Sequence, residues 1–241
     1  MDMPIDMQHQ AMGYDRTATM FSPEGHLLQV EYAEKTVRLG VSSIGIVCTD
    51  GVFIVADKRV DDKLIVKSSA SRIHEVDSHI VASVAGITSD ARVLVERAQL
   101  ISQQHRITYD TPIEPELVIK DIANIKQQFT QYGGARPFGV SMMVAGLNNQ
   151  KVEIFTSDVT GNYFSYNANA IGENDEKIKE KLREKYHKEL TVQKGVKIAL
   201  DILKEIQGKK FDLERFELAY ILKKYGKVQR IEGEEIKNFL N

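Results

Sequence analysis

Ile44 to Cys48 and Val52 to Ala56 are apolar at nearly every position, and the only break between them is a short polar step containing Asp50-Gly51. A strand with one wet face alternates apolar and polar residues, so consecutive apolar positions demand cover on both faces. Asp-Gly readily forms the tight turn of a hairpin, and the two runs read as antiparallel strands. Whatever else this chain builds, it must stack layers on either side of that hairpin.

The remaining pattern supplies those layers. Short strands are expected at Leu64 to Val66, Arg72 to Val76 and His79 to Ala85. From Ser89 to about Gln104, the residues Ala91, Leu94, Val95, Ala98 and Ile101 fall at helical spacing, and Thr88 or Ser89 is placed to cap the first turn. From Pro115 to Tyr132, the residues Val118, Ile122, Ile125, Phe129 and Tyr132 form a second stripe. Strands resume at Gly139 to Gly146, Lys151 to Thr156 and Asn162 to Asn167, with turns at Asn148-Asn149 and Thr160-Gly161. A second helix pair follows, one helix carrying Ile178, Leu182 and Tyr186, the next running from Val192 to Ile206 and ending at Gly208. Phe216 to Leu222 and Val228 to Ile231 read as a last hairpin, and Glu234 to Leu240 as a closing helix. Two groups of antiparallel strands, each followed by two helices, predict an α+β chain: a four-layer αββα sandwich of two antiparallel sheets flanked by helices. No linker or repeat divides it, so residues 13–241 are expected to be one domain, preceded by a flexible tail over residues 1–12.

Composition narrows the function. A net charge of -2, from 32 basic and 34 acidic residues, offers no global field for nucleic acid or an anionic membrane. Cys48 is the only cysteine, which excludes an intrachain disulfide and a paired-cysteine metal site. His9, His26, His74, His79, His105 and His187 are scattered, without the HExxH spacing of a zinc protease. No metal or cofactor is expected. The start, MDMPIDMQHQAM, lacks a basic segment followed by an apolar run, and no stretch of about 18 apolar residues occurs. A cytoplasmic protein is expected.

Ahead of the first strand stands FSPEGHLLQVEYAEKTVRLG, residues 21–40. Ser22-Pro-Glu-Gly25 is turn chemistry, and Leu27, Val30, Ala33, Glu34 and Val37 share one mostly apolar helix face, with Gly40 as its stop. A helix this short is marginal by itself and must pack on something.

GYDRTATMFSPEGHLLQVEYAEKTVRLG (13–40), DGVFIVADKRV (50–60), GITSDARVLVERA (86–98), FTQYGGARPFGVSMMVAG (129–146) and AIGEN (170–174) together resemble the 20S proteasome α-subunits of the archaeal kind. The resemblance implies the Ntn-hydrolase, or proteasome subunit, version of the αββα sandwich. It also implies heptameric α-rings at the ends of a barrel of β-subunits, which are threonine proteases. Those catalytic relatives use an N-terminal threonine at the start of the first strand, with its own amine as base. Here Val41 holds that position, without a hydroxyl and behind forty residues, and a non-catalytic structural and gating subunit is expected. Cleavage before Ser42 would define the alternative, a self-processed catalytic β-type threonine or serine peptidase, but would discard the helix on which the resemblance depends. The supporting lysine of that chemistry corresponds to Arg72, which cannot relay a proton. Asp57 remains at the acidic position, and pairing with Lys58 or Arg59 is its simplest use.

By the same resemblance Tyr14, Asp15, Pro23 and Tyr32 form the cluster that holds the N-terminal tails open. Arg72, Gly40, Gly86 and Ile87 line the pocket for the C-terminal tail of a proteasome-activating AAA ATPase. Tyr132, Gly133, Gly134, Ala135, Arg136 and Pro137 form the axial loop past which unfolded protein substrates enter. His26 and Ser42-Ser43 depart from the arginine and threonine pair often found at those places.

Overall fold

The computed structural model describes residues 12–60, 62 and 64–240. After a 3-10 turn at Tyr14–Arg16, helix α1 (Leu28–Leu39) leads into the hairpin β1 (Ser43–Val47) and β2 (Gly51–Asp57), where Cys48 donates its amide to the Gly51 carbonyl. Strands β3 (Ile73–Asp77) and β4 (Ile80–Gly86) follow, then helices α2 (Thr88–Tyr109) and α3 (Pro115–Gln131). Next come β5 (Val140–Asn148), β6 (Lys151–Ser157), β7 (Tyr163–Ser165) and β8 (Ala168–Ile171), then α4 (Asp175–Lys185) and α5 (Val192–Gln207). The chain closes with β9 (Phe216–Leu222), β10 (Val228–Glu232) and α6 (Glu234–Leu240).

Two five-stranded antiparallel sheets result, in the orders β10-β9-β2-β1-β8 and β3-β4-β5-β6-β7. Their side chains sort by strand parity. Phe53 and Val55 of β2, with Ile44 and Ile46 of β1, face α4, α5 and α6, where Val196, Leu203 and Ile236 meet them. Val52, Ile54 and Ala56 point the other way and meet Val81, Met143 and Ile154 of the second sheet. That sheet's outer face, including Ile80, Val84 and Val144, is covered by Leu94 and Val95 of α2 and Ile119 and Ile122 of α3. Three apolar interfaces between four layers explain why the first two strands are apolar on successive residues.

Three local expectations differ. Leu64 to Val66 is not a strand: the Asp62 carboxylate accepts the Leu64 amide at 2.8 Å, its carbonyl accepts that of Ile65, and the chain turns into a 3-10 segment at Lys67–Ala70, leaving Leu64 91% exposed. Asn162 to Asn167 is not one strand either. Tyr166 donates its amide to Ile154 in the second sheet, and Asn167 offers its carbonyl to Val47 in the first, so the chain changes sheets between these neighbours and continues as β8. Finally, neither Thr88 nor Ser89 caps α2: Ile87 is the N-cap residue, no side chain caps it, and the helix runs on past Gln104 to Tyr109, where Asp110 ends it at φ 55. Arg106, in that added turn, is tied to the Asp77 carboxylate at 2.7 and 2.8 Å.

Candidate functional site

The start of β1 is closed. Val41 is only 8% exposed, and the Gly40 carbonyl ahead of it accepts the Glu173 amide at 2.8 Å. Ser42 donates its hydroxyl to the Glu173 carbonyl at 2.6 Å, and Ser43 accepts one from Ser83 at 2.7 Å. Among the described residues, neither hydroxyl bonds a basic side chain. Asp57, fully buried, does not pair with the side chain of Lys58 or Arg59, which go to Glu232 and Glu173. It is bound instead by Arg215 (2.6 and 3.2 Å), by Gln207 (3.1 Å) and by the Arg59 backbone amide (2.9 Å). Long-range packing of β2 against β9 brings Arg215 there, which local sequence does not reveal. Burial pushes the Cys48 thiol up to about 12, so it stays protonated and inert.

Beside this closed start lies a cleft of about 220 Å³, lined by Leu39, Gly40, Arg59, Arg72, Gly86 and Thr88 among others. Gly40 does not serve as a left-handed helix stop; its φ is -71, and its amide returns to the Val37 carbonyl. It is glycine because the backbone of β4 runs against it: a Cβ on Gly40 would stand 2.3 Å from the Gly86 nitrogen. Gly86 in turn has φ +119, and its own Cβ would lie 2.0 Å from the Gly139 carbonyl oxygen. Three bare backbones therefore meet at the cleft wall. Ile87 is not among the lining residues; its amide bonds the Gly139 carbonyl at 2.9 Å and its side chain lies against Gly139.

Arg72 enters the cleft from a segment locked by Glu217. This buried carboxylate accepts the backbone amides of Arg72 and Ile73 and the Ser71 hydroxyl, and its charge is met by Arg230 at 3.2 Å. The Arg72 guanidinium itself bonds Thr88 Oγ1 at 2.9 Å through Nη1. Among the described residues no carboxylate pairs with it, whereas Arg59, lining the same cleft, is held by Glu173.

The other expected residues lie on the segment up to and including α1 and in the loop after α3. Gln29 of α1 donates to the Asp15 carbonyl at 2.6 Å, which fixes the Tyr14–Arg16 turn to the helix that carries Tyr32. The Tyr32 ring lies 5.3 Å below the Lys35 ammonium. Pro23 sits at the exposed tip of a turn in which Ser22 Oγ accepts the His26 amide, as its sequence implies. The tail expected over residues 1–12 lies outside the described residues except for Met12.

Tyr132 to Pro137 is a loop after α3, with Tyr132 70% exposed and Gly134 at φ +86. Its far end is pinned: Arg136 grips Asp90 with two bonds of 2.6 and 2.8 Å, and the Gly139 amide adds a third at 3.1 Å. The Arg136 bond holds the Asp90 carboxyl below its usual range, although burial opposes it. Asp90 lies in the first turn of α2, two residues from Thr88, so loop and cleft share one support. Glu217 and Lys126, which anchor this region, carry no motif that would mark them. Lys126 falls on the buried face of α3, four residues after Ile122, and that spacing is the one signal the sequence offers for it.

The fold and this geometry define a class: an αββα sandwich with a closed first-strand start behind an added helix. The family model described as "Proteasome subunit" matches residues 37–221, and the model for the N-terminal signature of the A-type proteasome subunits matches residues 14–35. The proteasome alpha subunit of Methanococcus maripaludis strain C5 is 42% identical over 231 residues, 95% of this chain and 88% of that protein. The alpha subunit from Thermococcus sibiricus is 42% identical over 224 residues (93% and 85%), and that of Methanocaldococcus jannaschii 39% over 227 (94% and 87%). The chain belongs to the proteasome subunit family, on its non-catalytic alpha side, and so to an assembly with other proteasome subunits. Among the described residues no helix is long and apolar enough to cross a membrane.

Proposed function

We propose that this chain builds heptameric end rings that template and cap rings of catalytic β-subunits in the cytoplasm. Residues 1–12 gate the axial entrance, with Tyr14, Asp15, Pro23 and Tyr32 holding the open arrangement. Unfolded protein substrates then pass the Tyr132–Pro137 loop. The C-terminal tail of an activating AAA ATPase docks in the cleft of Gly40, Gly86 and Arg72, with Ile87 behind its wall. One observation carries this reading: a guanidinium that among the described residues has no carboxylate partner stands in a cleft bounded by the end of α1. Such a site suits a chain-terminal carboxylate.

Two measurements on the assembled α/β particle test it. Deleting residues 2–12 is expected to raise hydrolysis of a short fluorogenic peptide in the absence of activator; an unchanged rate would remove the tail from the gate. Arg72→Ala is expected to leave sevenfold rings visible by negative stain while abolishing stimulation by the activator ATPase. Stimulation at the wild-type level would take Arg72 out of the docking site.

A further inference from the structure

We infer that Thr88 is a positioning residue that turns the Arg72 guanidinium into a selective reader of a free carboxylate. This deepens the tail-docking reading above and depends on it. Thr88 occupies the first position of α2 and spends no bond on capping that helix. Its side-chain oxygen instead accepts a hydrogen from Arg72 Nη1 at 2.9 Å, across a gap of 16 residues in sequence. Without that bond the arginine is tethered only by its backbone, through Glu217, and its long side chain would sample several rotamers.

The bond also decides which donors face a ligand. Arg72 Nε is enclosed by protein and has no acceptor. Nη1 gives one hydrogen to Thr88, which leaves its second hydrogen and the two of Nη2 for an incoming group. A hydroxyl that accepts from the guanidinium still has its own proton to donate, and among the described residues no acceptor takes it. The cleft therefore offers guanidinium N–H groups, which can only donate, held in place by the threonine hydroxyl. A carboxylate accepts from both guanidinium nitrogens, whereas a carboxamide turns an NH2 toward one of them and loses that bond. Glu173 removes Arg59 from competition by pairing with it, and Glu217 is occupied by Arg230 and backbone amides. Arg72, held by Thr88, is left as the group that discriminates.

The test compares two fluorescein-labelled peptides on the assembled particle, both with the sequence of the activating ATPase's C-terminal tail, one with a free C-terminus and one amidated. Anisotropy titrations are expected to show wild type preferring the free acid by about tenfold or more. Thr88→Val, which keeps the shape and removes the hydroxyl, is expected to cut that preference roughly three- to tenfold, and Thr88→Ser to retain most of it. Thr88→Ala replaces the valine variant if the latter assembles poorly on gel filtration. A valine or alanine variant with an undiminished preference overturns the role of Thr88 while leaving docking intact. Absence of binding to wild type, or equal binding to wild type and Arg72→Ala, overturns the docking reading itself and this inference with it.

Discussion

Gly86→Ala is expected to lower the stability of the folded chain by about 3–5 kcal/mol, enough to unfold a marginally stable domain. Two costs combine. Alanine resists φ +119, and the new methyl would press to 2.0 Å from the Gly139 carbonyl oxygen and 3.2 Å from Val140 Cα. The obstructing atoms belong to backbone at the start of β5, which is paired to β4 on one side and β6 on the other and cannot step aside. Gly133→Ala is the matched control, because a Cβ there has nothing within 4 Å. Thermal melts followed by circular dichroism would compare the two. If the Gly86→Ala protein melted with the control, the close approach of β4 to the start of β5 would be wrong.

The second large effect belongs to Lys126. Its side chain is fully buried, and its nitrogen donates to the Ser157 hydroxyl at 2.7 Å and to the carbonyls of Val140 and Asp158 at 3.0 and 3.2 Å. It pins α3 across the edges of β5 and β6. Lys126→Met fills similar space but strands these acceptors, with an expected loss of about 2–4 kcal/mol in urea denaturation. Burial pushes the Lys126 pKa down from 10.5 to about 7, outweighing the Asp158 charge, which favours the ammonium. The folded chain thus releases this proton near pH 7, while the unfolded chain holds it until about 10.5. The unfolded state binds more protons between those limits, so this group makes stability rise with pH across that window and fall as pH drops toward 7. From pH 7 to pH 9 the gain is on the order of 2 kcal/mol in wild type and absent in Lys126→Met. Parallel pH dependences in the two proteins would show that Lys126 titrates alike in both states.

Much of this architecture is legible in the sequence. The hairpin, the two helix pairs and the layer order follow from apolar spacing, and the strand and helix positions observed agree with that spacing at β1, β2, β9, β10 and α5. Of the four residues that the resemblance groups as a docking pocket, Gly40, Gly86 and Arg72 line one cleft and Ile87 does not. The hydrophobic triplet Leu64 to Val66 misled because a local Asp62 turn competes with pairing, and apolar composition does not reveal that competition.

The sequence by itself determined which faces must be buried and where the chain must turn. Those properties reside in each residue and its near neighbours, which the 2.0 and 3.6 periodicities report directly. Only the tertiary structure decided that the chain leaves one sheet for the other between Tyr166 and Asn167, that Asp57 belongs to Arg215, and that Thr88 bonds Arg72. Each of these is a choice among distant partners of equal chemical suitability. Packing geometry makes that choice, since a buried donor or acceptor goes to whichever complement the stacked layers bring within about 3 Å.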